Sequence, residues 1–342
     1  MSIKLGNTSI GSLYLGATKI GAAYLGNVKV YGSAVDPYNP LGLPPFTIRA
    51  KFSAGFTPTM GDTQTLVDAV ENIWDIYNNN TDWTCLFVDG STGEGYPVVS
   101  VLGANTTGVT SMTGMFLDCS SLSSVALFDT GSCTQMDEMF SDCTSLITVP
   151  LFDTSSCTYM DDMFFGCTSL SAVPLLDTSA CMTMSHMFHD CTSLVTVPLF
   201  DTSECRLMDD MLNGCTSLIT VPLFDTSSCT SLSSAFYGCT SLTTVPLFDT
   251  SACRLMDDML NGCTSLTTVP LFDTSSCLRM PKMFFGCTSV QSGALALYQQ
   301  ASTQANPPVL YTNCFYNCGS NTTTGAAELA QIPASWGGTM EV

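Results

Sequence analysis

The stretch "VPLFDTSSCTSLSSAFYGCTSLTT" fills residues 221–244, and near copies of it run before and after. Cys119, Cys143, Cys167, Cys191, Cys215, Cys239, Cys263 and Cys287 fall 24 residues apart, and Cys133, Cys157, Cys181, Cys205, Cys229, Cys253 and Cys277 form a second series at the same spacing. In the first unit, residues 101–124, Val109 stands where the second series has cysteine. A cysteine that trades with valine behaves as a small hydrophobe, so both series read as buried thiol ladders rather than bridges or metal ligands. One such coil cannot bury its own apolar face, whereas stacked coils share a continuous core. The expected architecture is therefore an α/β repeat solenoid of eight coils over residues 101–292.

Within a unit the apolar period changes. Leu218, Val221 and Leu223 suit a short strand with one face buried. Cys229, Leu232, Ala235, Phe236 and Cys239 then fit the stripe of a short helical segment. "DTS" between them is turn and N-cap chemistry, because Asp and Ser/Thr oxygens accept from nearby backbone N–H groups. Gly238 and its equivalents close the helical turn, and Pro222 belongs at a strand terminus. Each coil is thus expected to hold one short strand and one short helix.

The motif "GCTSLTTVPLFDTSSC..MDDMFFGC" resembles the BspA-like leucine-rich repeats and the related lipoprotein repeats of surface proteins from gut bacteria, Mycoplasma and protozoa. The resemblance covers residues 101–292 and implies a right-handed, leucine-rich-repeat-like solenoid with a parallel sheet on one face. The chain departs from that pattern in carrying cysteine where the family usually has valine.

Composition narrows the function classes. The 342-residue chain is 45% hydrophobic but 11% charged, with a net charge of -20. Lys4, Lys19, Lys29, Arg49 and Lys51 are followed by no basic residue until Arg206, so a nucleic-acid partner is not expected. The opening "MSIKLGNTSIGSLYLG" lacks the pattern of a secretory signal, and no apolar run is long enough to span a bilayer. Folding in a reducing cytoplasm is expected, where disulfide scaffolds are rare.

Residues 1–35 carry a shorter repeat, with Leu5-Gly6, Leu15-Gly16 and Leu25-Gly26 ten apart and Tyr14, Tyr24 and Tyr31 adding an aromatic rhythm. They read as short strands with tight turns, too small a module to be stable alone. "LGNTSIGSLYLGATKIGAAYLGNVKVYG" resembles the N-terminal segment of structural proteins from tailed phages of gut Bacteroidales, including crAss-like phages. That resemblance implies attachment to a virion through this segment, as a homo-oligomer with a trimer preferred. Residues 36–45 read as a Pro-rich linker. Residues 46–100 read as an α+β N-terminal cap: "FTIRAKF" as a strand, "GDTQTLVDAVENIWDIYNNN" as an amphipathic helix with Leu66, Val67, Val70, Ile73, Trp74 and Tyr77 on one side, and "WTCLFV" as a strand. Residues 293–342 read as a C-terminal cap: a helix in "SGALALYQQAST", a degenerate coil in "VLYTNCFYNCGS", and an apolar plug around Ile332 and Trp336.

Chemistry-bearing residues are few outside the repeat. His186 and His189 form an H-x-x-H pair beside Cys191 that could point to zinc, but sister repeats hold Asp, Ser, Gly, Asn or Phe there, so they read as tolerated substitutions on an exposed face. Asp129, Asp153, Asp177, Asp201, Asp225, Asp249 and Asp273 form a third ladder, read as local caps, with calcium bridging as the alternative. No catalytic, cofactor-binding or metal-ligating residue is assigned, and no enzyme is expected. The segment after each second-series cysteine varies most, which makes Tyr159, Asp161, Asp162, His186, His189, Arg206, Asp209, Asp210, Tyr237, Arg254, Asp257, Asp258, Arg279 and Lys282 the candidate contact surface. The expected function is a phage virion appendage, a tail or head fibre bound to other virion proteins at its N-terminus and adhering to a host surface protein or glycan. A bacterial BspA-like surface adhesin and a capsid decoration protein are the alternatives.

Overall fold

The computed structural model describes residue 39, residues 41–340 and, nearer the start, the backbone of six short strands. Those strands pair as three antiparallel hairpins: β1 (Lys4–Leu5) with β2 (Thr8–Ser9), β3 (Leu13–Leu15) with β4 (Thr18–Ile20), and β5 (Ala23–Leu25) with β6 (Val28–Val30). The side chains of Tyr14 and Tyr24, all of Tyr31, and residues 36–38 and 40 of the linker lie outside the described residues.

A five-stranded sheet leads into the array in the order β11-β10-β7-β9-β8, built from β7 (Thr47–Phe52), β8 (Thr63–Asp68), β9 (Ile73–Tyr77), β10 (Val98–Asn105) and β11 (Ser124–Val125). Ile48, Ala50 and Phe52 of β7 are buried as their alternation predicts. On the other face Arg49 forks onto Asp75 at 2.6 and 2.7 Å, and Lys51 pairs with Glu71. The helix expected over the following segment is instead the β8–β9 hairpin. Half of its would-be apolar stripe, Leu66, Val67 and Val70, is exposed, Val70 to 92%, while Trp74 packs against the core. The turn is local chemistry: the Asp68 carboxylate accepts from the N–H groups of Val70 and Glu71, and Asn72 sits in the left-handed region at φ 52°. The first cap is therefore all-β.

"WTCLFV" is not a strand either. Asp82 forms a parallel bridge with Ser111, and the N–H groups of Trp83, Cys85 and Phe87 donate to the carbonyls of Ser111, Thr113 and Met115. This segment stacks on the array as a coil of its own. From Ser111 the parallel bridge repeats through Gln135, Tyr159, Thr183, Leu207, Ser231, Leu255 and Arg279 to Leu310.

The solenoid stands, but the division of each coil differs from the expectation of a strand at "VPLF" followed by a helix. Among the described residues of the coils there is no α-helix. After each bridge the backbone alternates. In one coil the N–H groups of Met136, Glu138, Phe140 and Asp142 reach the next coil, while those of Met139, Ser141 and Cys143 turn back to the third residue before. Two residues four apart take positive φ in each coil, such as Glu138 and Asp142 or Asp210 and Gly214. An α-helix does not tolerate that. The apolar spacing that suggested a helix is produced by overlapping turns.

"VPLF" is also not a strand. Proline has no N–H to donate, and the Phe224 N–H folds back onto the Pro222 carbonyl at 3.0 Å, a tight three-residue turn repeated in sister coils. Val221 and Phe224 are buried, while Leu223 at the turn's apex is 59% exposed.

The core is a set of columns. Phe116, Phe140, Phe164 and Phe188 stack at 5.4 to 5.7 Å between centroids. The thiol ladders are buried and unbridged, as expected; Cys85 is the exposed thiol. Cys143 Sγ lies 3.2 Å from the Phe116 carbonyl of the preceding coil, and Cys133 Sγ 3.1 Å from the Gln135 carbonyl. Buried threonines make a further column, with Thr154 Oγ1 donating to the Asp177 carbonyl at 2.7 Å. At the far end lie α1 (Ala294–Thr303), the closing coil at Leu310–Cys318, α2 (Thr323–Leu329) and a 3₁₀ turn at Ala334–Trp336. Trp336 stacks on Tyr311 at 4.1 Å and Ile332 is buried, forming the apolar plug. None of the described helices is long and apolar enough to cross a membrane.

Candidate functional site

The overlapping turns of successive coils form a ledge along the rod, and the ladder fixes which side chains meet on it. Tyr159 and Arg279 occupy bridge positions, with Arg206 and Arg254 one residue before theirs. Asp161, Asp209 and Asp257 come two residues after the bridge. Asp162, His186, Asp210, Asp258 and Lys282 share the first positive-φ position, at 53° to 56°. His189 and Tyr237 come three residues later. Every predicted contact residue is therefore on this ledge, in rows set by the coil period.

The first acid of each "MDDM" pair is a link between coils. Asp161 Oδ1 accepts from Thr183 Oγ1 and the Ser185 N–H, both at 2.7 Å. Asp209 Oδ1 accepts from Ser231 Oγ and from the Ser233 N–H at 2.9 Å. Asp257 meets Pro281, which offers no N–H, so Oδ1 is buried without a partner while Oδ2 takes Arg279 Nη2 at 2.9 Å. Burial pushes the Asp257 carboxyl up and Arg279 opposes it. Burial likewise raises Asp162, with His186 pulling the other way.

Between coils the ledge opens into a cleft of about 420 Å³ lined by Leu207, Asp209, Thr230, Ser231, Arg254, Leu255 and Leu278. Asp209 and Arg254 are among the predicted residues; the apolar floor of Leu207, Leu255 and Leu278 was not singled out. A second surface was missed as well. Leu151, Leu175, Leu199, Leu223, Leu247 and Leu271 stand 51–61% exposed, one per coil. A shallower cleft of about 320 Å³ lies beside this stripe, between Leu223, Leu247, Asp225 and Asp249. The recurring Pro-Leu-Phe was its signal, since a proline turn puts the middle residue outside.

The third acid ladder caps turns as predicted. Asp201 Oδ1 accepts from the Ser203 N–H at 3.1 Å and its hydroxyl at 2.7 Å. The serine bonds hold Asp177, Asp201 and Asp249 below the usual carboxylate range, so the leucine stripe is bordered by fixed negative charge. The thiols are the reverse. Burial pushes Cys133 up to about 11 and Cys181, Cys229 and Cys277 up to about 12. Such thiols are not nucleophiles at neutral pH.

The family profile described as "Mycoplasma protein of unknown function, DUF285" matches residues 99–196, 147–243 and 207–306. No curated protein matches the chain. Similar solved structures include a leucine-rich repeat protein of T. pallidum, 17% identical over 74% of this chain and 84% of that one, with a TM-score of 0.34. A leucine-rich repeat protein from Eubacterium ventriosum is 13% identical over 64% of this chain and 67% of that one, with a TM-score of 0.39. A leucine-rich cell surface protein from Faecalibacterium prausnitzii is 19% identical over 61% and 81%, with a TM-score of 0.24.

Proposed function

This chain belongs to the DUF285 family, and from that premise we propose that it is a non-enzymatic adhesive rod whose coils bind a host cell-surface protein or glycan. The observation that carries this reading is the ledge cleft. It combines an apolar floor with one acid, one guanidinium and two hydroxyls, and a carboxylate and guanidinium so placed serve recognition of a polar partner. The thiols are held protonated in the core and the ladder acids are engaged in turn caps, which leaves those groups without an acid–base or nucleophilic role. The exposed leucine stripe adds a second, repetitive surface suited to a repetitive partner.

The finer proposal is a virion appendage, a head or tail fibre anchored through residues 1–35 to other virion proteins as a homo-oligomer, with a trimer preferred. Its support is the resemblance of that segment to phage attachment segments. The second reading, a bacterial surface adhesin, is equally compatible with the family, whose description names Mycoplasma. Immunogold labelling of a producing culture with antibody to the coils separates them: gold on phage particles supports the virion, and gold on cell envelopes beside bare particles overturns it.

Adhesion itself is tested on the ledge. Arg254→Thr and Arg206→Thr place there the residue that sister coils carry at Thr134, Thr158 and Thr230, so folding is spared. The double variant should bind host cells about tenfold less well, the equivalent of about 1.4 kcal/mol. Undiminished binding would remove the ledge as the contact surface.

A further inference from the structure

We propose that His186, His189 and Asp210 form a binding site for a divalent transition metal of the zinc type, set between two adjacent coils of the ledge. The chain has two histidines and both fall in the same coil. One nitrogen of each and one carboxylate oxygen of Asp210 lie within 4.8 Å of one another. Three atoms so spaced all lie within about 2.8 Å of a common centre, and zinc bonds to imidazole and carboxylate run at about 2.0–2.2 Å. Each ligand has less than about 1 Å to move.

The rings are poised but not satisfied. His186 Nε2 stops 3.5 Å from Asp210 Oδ2, and its Nδ1 stops 3.9 Å from Asp162 Oδ1 in the preceding coil. His189 Nε2 is 3.7 Å from Asp190 Oδ2, and its Nδ1 is buried with no hydrogen-bond partner. These separations exceed those of good hydrogen bonds. His186 therefore has a carboxylate toward each nitrogen, the proposed ligand Asp210 on one side and Asp162 on the other, while His189 has Asp190 toward one nitrogen and the other nitrogen free. A metal-bound histidine commonly gives its other N–H to a carboxylate. The ledge backbone supplies the rigidity: His186 sits at φ 56° and its N–H is bonded to the Asp209 carbonyl of the next coil at 2.8 Å. His189 stacks beside it, with 5.7 Å between ring centroids.

The donor set selects the ion. Two imidazoles and one carboxylate suit zinc, nickel or cobalt, whereas calcium takes an all-oxygen shell. Three protein ligands leave a coordination position for water or for a donor atom of a bound partner, which would couple the metal to the contact surface on which it lies.

The test uses the full chain, reduced and metal-free, titrated with Co²⁺ and followed by its visible absorption, with Zn²⁺ as competitor. The expected result is one equivalent of Co²⁺ in an all-nitrogen-and-oxygen spectrum, displaced by Zn²⁺ and not by Ca²⁺. His186→Ser and His189→Asn carry the residues that sister coils hold at Ser234 and Asn213, so both should fold; each should weaken Co²⁺ binding by at least about tenfold, and the double variant should abolish it. Asp162→Asn, which removes a carboxylate facing a ligand rather than a ligand, should weaken it by about tenfold. Three outcomes overturn the site: no saturable binding, binding unchanged in the double variant, or a thiolate charge-transfer band showing that cysteines hold the ion.

Discussion

Pro281 is where the repeat contradicts itself, and its consequence is measurable. Ser185 and Ser233 offer an N–H to the aspartate of the preceding coil at 2.7 and 2.9 Å; Pro281 cannot, and Asp257 Oδ1 is left buried and bare. An unsatisfied buried acceptor costs about 1–3 kcal/mol, set against about 0.4–1 kcal/mol that proline gains by restricting the unfolded chain. Pro281→Ser should therefore stabilise the protein by about 1 kcal/mol, seen as a higher Tm. A lower Tm would show that the orphan oxygen is not the dominant cost. The cysteines make the complementary prediction: iodoacetamide at neutral pH should alkylate Cys85 in the native chain, and all 18 thiols once it is unfolded, by intact mass. Native labelling of the buried ladders would contradict their exclusion from solvent. The burial of both ladders was legible because Val109 replaces a cysteine in one coil. Their hydrogen bonds to carbonyls were not, because a spacing carries no direction.

At the scale of the element, sequence periodicity gave the columns correctly and the backbone wrongly. Cys229, Leu232, Phe236 and Cys239 recur at helical spacing and are all buried, yet Ser234 and Gly238 have positive φ. The available signal was the column Asp118, Asp142, Gly166, Asp190, Gly214, Gly238, Gly262, Gly286 and Asn317: every member is a residue that tolerates the left-handed region. The β8–β9 hairpin was hidden in the same way, since Asp68 and Asn72 set a turn inside a helix-like stripe. The column also supports a comparison. Gly214 and Gly238 have φ of 73° and 68°, so alanine at either pays about 1–2 kcal/mol. At Gly214 the new Cβ would additionally stand 2.0 Å from Asp190 Oδ1, whereas at Gly238 nothing comes nearer than 3.9 Å. Gly214→Ala should lower the Tm further than Gly238→Ala. Adding Asp190→Gly should erase that difference, relative to Asp190→Gly alone; a gap that persists would place its cause outside the carboxylate contact. The meeting of His186 with Asp162 and Asp210 was readable by adding or subtracting one coil length. The cleft was not, because its apolar floor depends on how Leu207, Leu255 and Leu278 are turned.

Over the whole molecule, two consequences follow from stacking identical columns. The first is alkaline instability. Thiols that titrate near 11 for Cys133 and near 12 for Cys181, Cys229 and Cys277 in the fold, against 9.0 ordinarily, have raised folded values. Their contribution is complete below about pH 9 and is lost as pH rises through the folded values, at about 1.4 kcal/mol per unit of difference for each group. The ladders should therefore unfold cooperatively above about pH 9 in a circular-dichroism titration, and Cys→Val substitutions should move the midpoint upward; a Tm flat to pH 11 would contradict this. The second concerns which length of chain is the true repeat. Sequence gives 24 residues, but from Asp161 onward the ledge acids alternate: Asp161 bonds to Ser185, Asp209 to Ser233, and Asp257 follows. Removing residues 221–244 would set Asp209 against Asp257, a junction like that of Asp137 and Asp161, where the later N–H still donates at 3.1 Å but burial and the second carboxylate push Asp137 up and no serine hydroxyl bonds to it. Removing residues 197–244 would instead set Ser185 before Asp257, as it now stands before Asp209. The near identity of 197–220 and 245–268 makes the two junctions chemically alike. Because each coil contacts its neighbours alone, stability should track the interfaces that remain. The chain lacking 48 residues should melt close to the parent, and the chain lacking 24 should melt lower although it is longer. The reverse order would show that the acid–serine alternation is incidental and that the solenoid extends one coil at a time.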